Sequence, residues 1–116
     1  MRARLHGFRW VDLDRGRGDW DSAHACELLE MEIGSRGGPG SDVFHVTVCT
    51  PSALAEQLHR HPFLIGRHWL FVPELRPDEV TAWLADRIAV LSAPTWEELA
   101  EKIGRIGAWE FEDYDD

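Results

Sequence analysis

A chain of 116 residues with 44% hydrophobic content can build one domain around a single modest core, spanning residues 1–116. Twenty-one acids against twelve bases leave a net charge of −9, and the arginines are scattered, which excludes a nucleic-acid backbone as partner and favours a basic protein. The start, MRARLHGFRW, is too charged for a signal peptide, and no uncharged apolar run approaches the roughly 20 residues of a membrane helix, so a cytoplasmic protein without a membrane partner is expected.

Residues 2–12, RARLHGFRWVD, mix aromatic and branched side chains with charges and read as a strand. LDRGRGDWDSA follows as a polar loop, long for a hairpin connection. In residues 25–33, Leu29, Met31 and Ile33 share one face and Glu30 and Glu32 the other, the alternation of a half-buried strand. GSRGGPGS, residues 34–41, holds four glycines and a proline and reads as a hairpin tip. A phosphate cradle would need a helix next, and a strand follows instead. In that strand Phe44, Val46 and Val48 project one way, and Val43, His45, Thr47 and Cys49 the other.

Thr50 and Pro51 suit a helix start, the hydroxyl able to cap a backbone N–H and the proline filling the first helical position. This helix is predicted through Arg60 with Leu54 and Leu58 on one face, and Pro62 ends it. HWLFVP, residues 68–73, is a fourth strand, short and apolar enough to be central or buried on both sides. Pro77, Asp78 and Glu79 open a second helix whose buried stripe is Val80, Trp83, Leu84, Ile88 and Leu91. TWEE is a capping box joining Thr95 and Glu98, and a third helix carries Trp96, Leu99, Ile103 and Ile106 on one side, with Gly107 as a left-handed stop. The order βββαβαα predicts an α+β fold: a mainly antiparallel sheet of four strands, five if the tail adds one, with three helices packed on one face and a C-terminal strap over residues 108–116. Whether the fourth strand runs parallel to the third is open.

Reactive constellations are sparse. Cys49 precedes a helix N-terminus, where a thiolate is favoured, but His45 on the same face lies about 13 Å along the strand. A histidine of another strand, His6, His24 or His68, could approach it; a small buried cysteine is the simpler reading, with Cys26 and Cys49 both free thiols. His59 and His61 are two apart on a helix and do not face each other, so no metal site is expected. Carboxylate pairs such as Glu30/Glu32 and Glu97/Glu98 read as solvated faces, and no nucleophile elbow or Walker loop occurs. Neither an enzyme nor a cofactor is indicated.

The segments MEIG, VFHVTVCTPSAL, GRHWLFVPEL and TWEELAEKIGRIGAWEFEDY, in that order, resemble the immunity protein 8 family of bacterial polymorphic toxin systems from about residue 25 to Tyr114. The most specific part is Trp96, Glu97, Glu98, then Gly107, Trp109, Glu110 and Phe111. The resemblance implies a single α+β domain that neutralises a cognate toxin by binding it, with no catalysis and no cofactor. The tail, with five acids in its last seven residues, also carries aromatics, so Trp109 and Phe111 are expected to dock in a groove by the third helix while Glu110 and Glu112 point outward; the competing reading leaves these aromatics exposed as the binding hot spot. Candidate toxin contacts are Asp14, Asp19, Trp20 and Asp21 in the first loop, and Glu110, Glu112, Asp113 and Tyr114 in the tail, because aromatics ringed by acids suit a basic target. Rival readings are a small ligand-binding or catalytic domain using Cys49 and strand histidines, and a structural module that dimerises through an uncovered sheet face. The oligomeric state is not legible.

Overall fold

The computed structural model describes residues 1–13 and 20–112. Its elements run β1 (Ala3–Trp10), β2 (Cys26–Ser35), β3 (Asp42–Cys49), α1 (Pro51–Arg60), β4 (Trp69–Phe71), α2 (Pro77–Ala89), α3 (Trp96–Ile103) and β5 (Ala108–Trp109). This is the expected α+β order, with the tail supplying a short fifth strand.

The three N-terminal strands form an antiparallel meander in which Leu29 faces Val46 and Met31 faces Phe44. At the hairpin tip between β2 and β3, Gly37 takes φ +81°, a conformation that costs a residue without Cβ little. β4 returns through α1 to lie parallel to β3, opposite Thr47–Cys49. β5 runs antiparallel beside the other end of β3, Trp109 facing Phe44 and Ala108 facing His45. β3 is therefore flanked by β2 on one side and by β4 and β5 in tandem on the other. Its apolar alternation fits this central position: Phe44, Val46 and Val48 are all buried.

That face meets Leu29, Met31 and Ile33 from β2, Val80, Leu84 and Ile88 from α2, and Leu99, Ala100 and Ile103 from α3. Each large side chain removed from water contributes about 1.5–3 kcal/mol, so these residues dominate the stability of the domain. In α2 the buried line follows positions 80, 84 and 88, while Trp83 turns out to 52% exposure with the Arg87 guanidinium 5.5 Å over its ring. In α1 the buried residue is Ala53, and Leu58 is exposed. β4 is an outer strand with an exposed Phe71, not a strand buried on both sides.

The two helix starts differ. Thr95 caps α3 as predicted, its hydroxyl accepting from the Glu98 N–H at 3.2 Å. Thr50 does not cap α1; its buried hydroxyl accepts from Ala25 N–H at 3.0 Å and donates to Ala25 C=O at 3.3 Å, tying the end of β3 to the start of β2.

Gly107 is not a left-handed stop, since Gly37 is the one glycine with positive φ among the described residues. Its constraint is one of space: a Cβ there would sit 3.1 Å from His45 O and 3.0 Å from Met31 Cε. The chain crosses β3 at backbone distance on its way into β5. Gly107→Ala is expected to lower unfolding free energy by about 1–3 kcal/mol, the range for forcing one extra carbon into a packed site, with the urea midpoint as readout.

Candidate interaction surface

Asp42 opens β3 and organises the tail. Its Oδ2 accepts the indole N–H of Trp96, at the start of α3, at 2.8 Å, and that of Trp109, in β5, at 2.9 Å. One carboxylate oxygen thus fastens a helix N-terminus and the C-terminal strap to the central strand. Trp109 also stacks on the buried Phe44, with centroids 6.3 Å apart, and meets the edge of Phe111 at 5.5 Å. Glu110 doubles the attachment, its N–H donating to Val43 C=O at 2.9 Å and its Oε1 accepting from Val43 N–H at 3.3 Å.

Beyond Trp109 the extended path ends, because Glu112 N–H bonds back to Trp109 C=O at 2.8 Å. The turn changes two expectations. Phe111 is not buried: it stays 45% exposed at the edge of α3. Glu112 does not point outward: it pairs with Arg67 at 3.1 Å and with His68 Nε2 at 3.2 Å, and its side chain is 23% exposed. His68 itself holds φ 62°, which costs a residue with a Cβ about 1 kcal/mol or more. Its Nε2 donates to Gly104 C=O, at the negative end of α3, at 2.6 Å, and its own carbonyl accepts from Thr47 N–H. Both partners of Nε2 are acceptors, so this nitrogen carries a hydrogen.

A cleft of about 690 Å³ lies between this turn and the end of α3, walled by Arg67, His68, Trp69, Gly104, Trp109 and Phe111. Glu110 is exposed next to it. Glu97 and Glu98 are exposed in the first turn of α3, where carboxylates complement the positive helix end. At the other candidate patch, Asp21 is exposed and its Oδ1 accepts from Ala23 N–H at 3.0 Å. Trp20 packs half-buried against the core. Asp14, Asp19, Asp113 and Tyr114 lie outside the described residues. Among the described residues the two patches are not brought together: the tail joins β3 at Val43, whereas Trp20 and Asp21 lead into Cys26 opposite Cys49, about 20 Å along the strand.

The sheet face turned away from the core carries a row of charge across three strands. Arg9, Glu30 and His45 stand in register, with Glu30 3.2 Å from Arg9 and 3.4 Å from His45. The Arg9 hydrogen bond holds the Glu30 carboxyl below its ordinary value of 4.5; burial pulls the other way, and His45 adds to the lowering. On the same face Cys49 is fully buried, and burial, with the neighbouring Cys26 thiol, pushes its pKa up to about 12. A nucleophile needs the opposite shift. Because the folded value is raised from an ordinary 9.0, the stabilisation from this neutral thiol is complete below pH 9.0 and is lost as pH rises toward about 12. Stability should therefore fall more steeply between those limits in the native sequence than in Cys49→Ala, as read by urea melts at stepped pH. Among the described residues no group of three or more His, Cys, Asp or Glu is placed to hold a metal ion. No helix among them is long and apolar enough to cross a membrane.

The family model described as Immunity protein 8 matches residues 9–114. No curated protein and no solved structure matches the chain.

Proposed function

Because the chain belongs to the immunity protein 8 family, we propose that it binds a cognate bacterial polymorphic toxin and neutralises it by occlusion, protecting the cell that makes both. The observation that carries this reading is the tail clamp. Trp96 and Trp109, both within the matched residues, share Asp42 and so hold Phe111 and Glu110 in place at the rim of the 690 Å³ cleft. A surface ordered before binding loses little conformational entropy when a partner arrives, so more of its contact energy appears as affinity.

The net charge of −9 gives the encounter its direction, since a basic toxin would be steered onto an anionic body. Glu110 and the acids of the first loop, Asp14, Asp19 and Asp21, are the proposed sources of that local field, with Asp113 and Tyr114 extending it from the tail. The exposed area of the domain is 7454 Å², against about 800 Å² per partner in a standard interface, so one end of the sheet suffices. Co-expression with the toxin domain encoded beside the gene tests the proposal. It predicts survival of the host and recovery of a complex through a tag on either chain; survival without a complex argues against occlusion, and death of the host sinks the reading.

A further inference from the structure

We propose that the connection from α1 to β4 is the apolar anchor of the toxin interface and that it docks into a pocket rimmed by carboxylates; this rests on the reading of the chain as a toxin-binding protein. After Pro62 the chain takes no regular structure over residues 63–66, where Leu64 is half-buried while Phe63 and Ile65 are exposed. Phe63 is 95% exposed and Ile65 87% exposed. Apolar side chains held so far from cover are a cost with no return within the domain. The surface continues from the loop: a Cβ on Gly66 would touch Phe71 Cζ at 4.0 Å, Phe71 stacks on Trp69, and Phe71 and Trp83 wall a second cleft of about 520 Å³ between β4 and α2. Arg67, at the end of the loop, pairs with Glu112, so the loop and the tail share one edge of the molecule.

The loop's own charge is positive at Arg60, while Arg67 is offset by Glu112 and the neighbouring cleft carries Glu74 and Glu79 beside Arg76. Between Glu56 and Glu74 there is no acid, while Arg60, Arg67 and three histidines fall in that stretch. A partner patch complementary to it is apolar at the centre and acidic at the rim, which differs from the basic surface that the rest of the domain attracts. A toxin presenting both, basic ground around an acidic pocket, is matched at two places at once, and that gives specificity beyond simple attraction. Two other occupants fit less well. An anionic membrane would repel a body of net charge −9, and two arginines do not reverse that. A second copy docking loop to loop would bring two copies of the same acid-free loop together, with no carboxylate of the loop to meet Arg60.

The test uses the full chain and the toxin domain encoded beside the gene, with affinity measured by calorimetry. Phe63→Asp and Ile65→Asp should each weaken binding about 30-fold or more, as central hot-spot residues do, and the double variant should abolish it in the micromolar range, while melting stays unchanged. Val90→Asp, a change at another exposed apolar residue, at the end of α2, should leave affinity within threefold. Arg60→Glu should weaken binding and Arg60→Lys should restore most of it. Should the double aspartate variant bind within threefold of the native chain, the loop is no anchor and the inference fails while the proposed function stands. Should the native chain itself not bind, both fail. Loss of a dimer on gel filtration, or loss of binding to vesicles of phosphatidylcholine and phosphatidylserine, with toxin affinity intact, would overturn the inference in favour of a second copy or a lipid surface.

Discussion

Asp42→Ala is expected to cost the domain about 2–4 kcal/mol, although the residue lies at a strand end. The magnitude follows from its two partners. A hydrogen bond to a charged acceptor is worth about 1.5–3 kcal/mol, and here one oxygen accepts two, at 2.8 and 2.9 Å. Removing it strands two half-buried indole N–H groups that were placed by packing against the core and cannot both turn to water. Asp42→Asn keeps an acceptor oxygen and loses the charge, so it should cost about half as much. Coupling distinguishes this from a general loss of packing. In a double-mutant cycle Asp42→Ala and Trp109→Phe should be less than additive, because the second change removes a donor that the first has already orphaned. A cost under about 0.5 kcal/mol for Asp42→Ala would mean that the tryptophans are held by packing alone.

Truncation after Gly107 should be still more damaging. It strips Trp109 from the fully buried Phe44, removes the pairing opposite Phe44 and His45, and takes Glu112 from Arg67 and His68. Loss of a large aromatic from a packed site costs about 3–5 kcal/mol by itself, a large share of the 5–15 kcal/mol that domains possess. The exposed edge of β3 adds a second penalty, since an unpaired apolar strand invites association with other chains. The shortened protein should melt well below the native chain, show fast amide exchange at Val43 and His45, whose N–H groups face the lost strap, and fail to bind the toxin. Melting within a few degrees of the native value would show that the strap contributes binding contacts without supporting the fold.

The strands and helices were legible because their signals are local. Alternation in β2 and β3, proline at the starts of α1 and α2, and the Thr95 cap each depend on residues within one turn or one strand. What the sequence hid was the geometry between distant segments. Asp42 looks like an ordinary polar residue after a glycine-rich tip, and nothing in its neighbourhood says that residues 54 and 67 positions away donate to it. Gly107 was legible as necessary, but its reason lies in the backbone of β3, not in its own φ. Phe71 and Trp83 read as buried on pattern alone, since periodicity registers apolarity without knowing that β4 is the outer strand. The tail aromatics were separable only in part: extended alternation assigns Trp109 and Phe111 to one face, and the turn at Glu112 splits them.

The candidate surface shows the same division. The described residues among those chosen for charge and aromaticity fall at two ends of the sheet, and Glu112 proves to brace the tail against Arg67 and His68. Phe63 and Ile65 escaped a reading built on acids because their flanking bases point to a different partner chemistry. That Cys49 precedes a helix gave it the look of a nucleophile, yet burial pushes its pKa up to about 12 and so disfavours the thiolate.

Occlusion has a stoichiometric signature. With the purified toxin domain held well above its dissociation constant and titrated with this protein, residual toxin activity should fall along a straight line and reach its floor at one equivalent, with no dependence on incubation time. Activity that keeps declining with time, or that vanishes at a small fraction of an equivalent, would contradict occlusion and point to catalytic destruction of the toxin or its product.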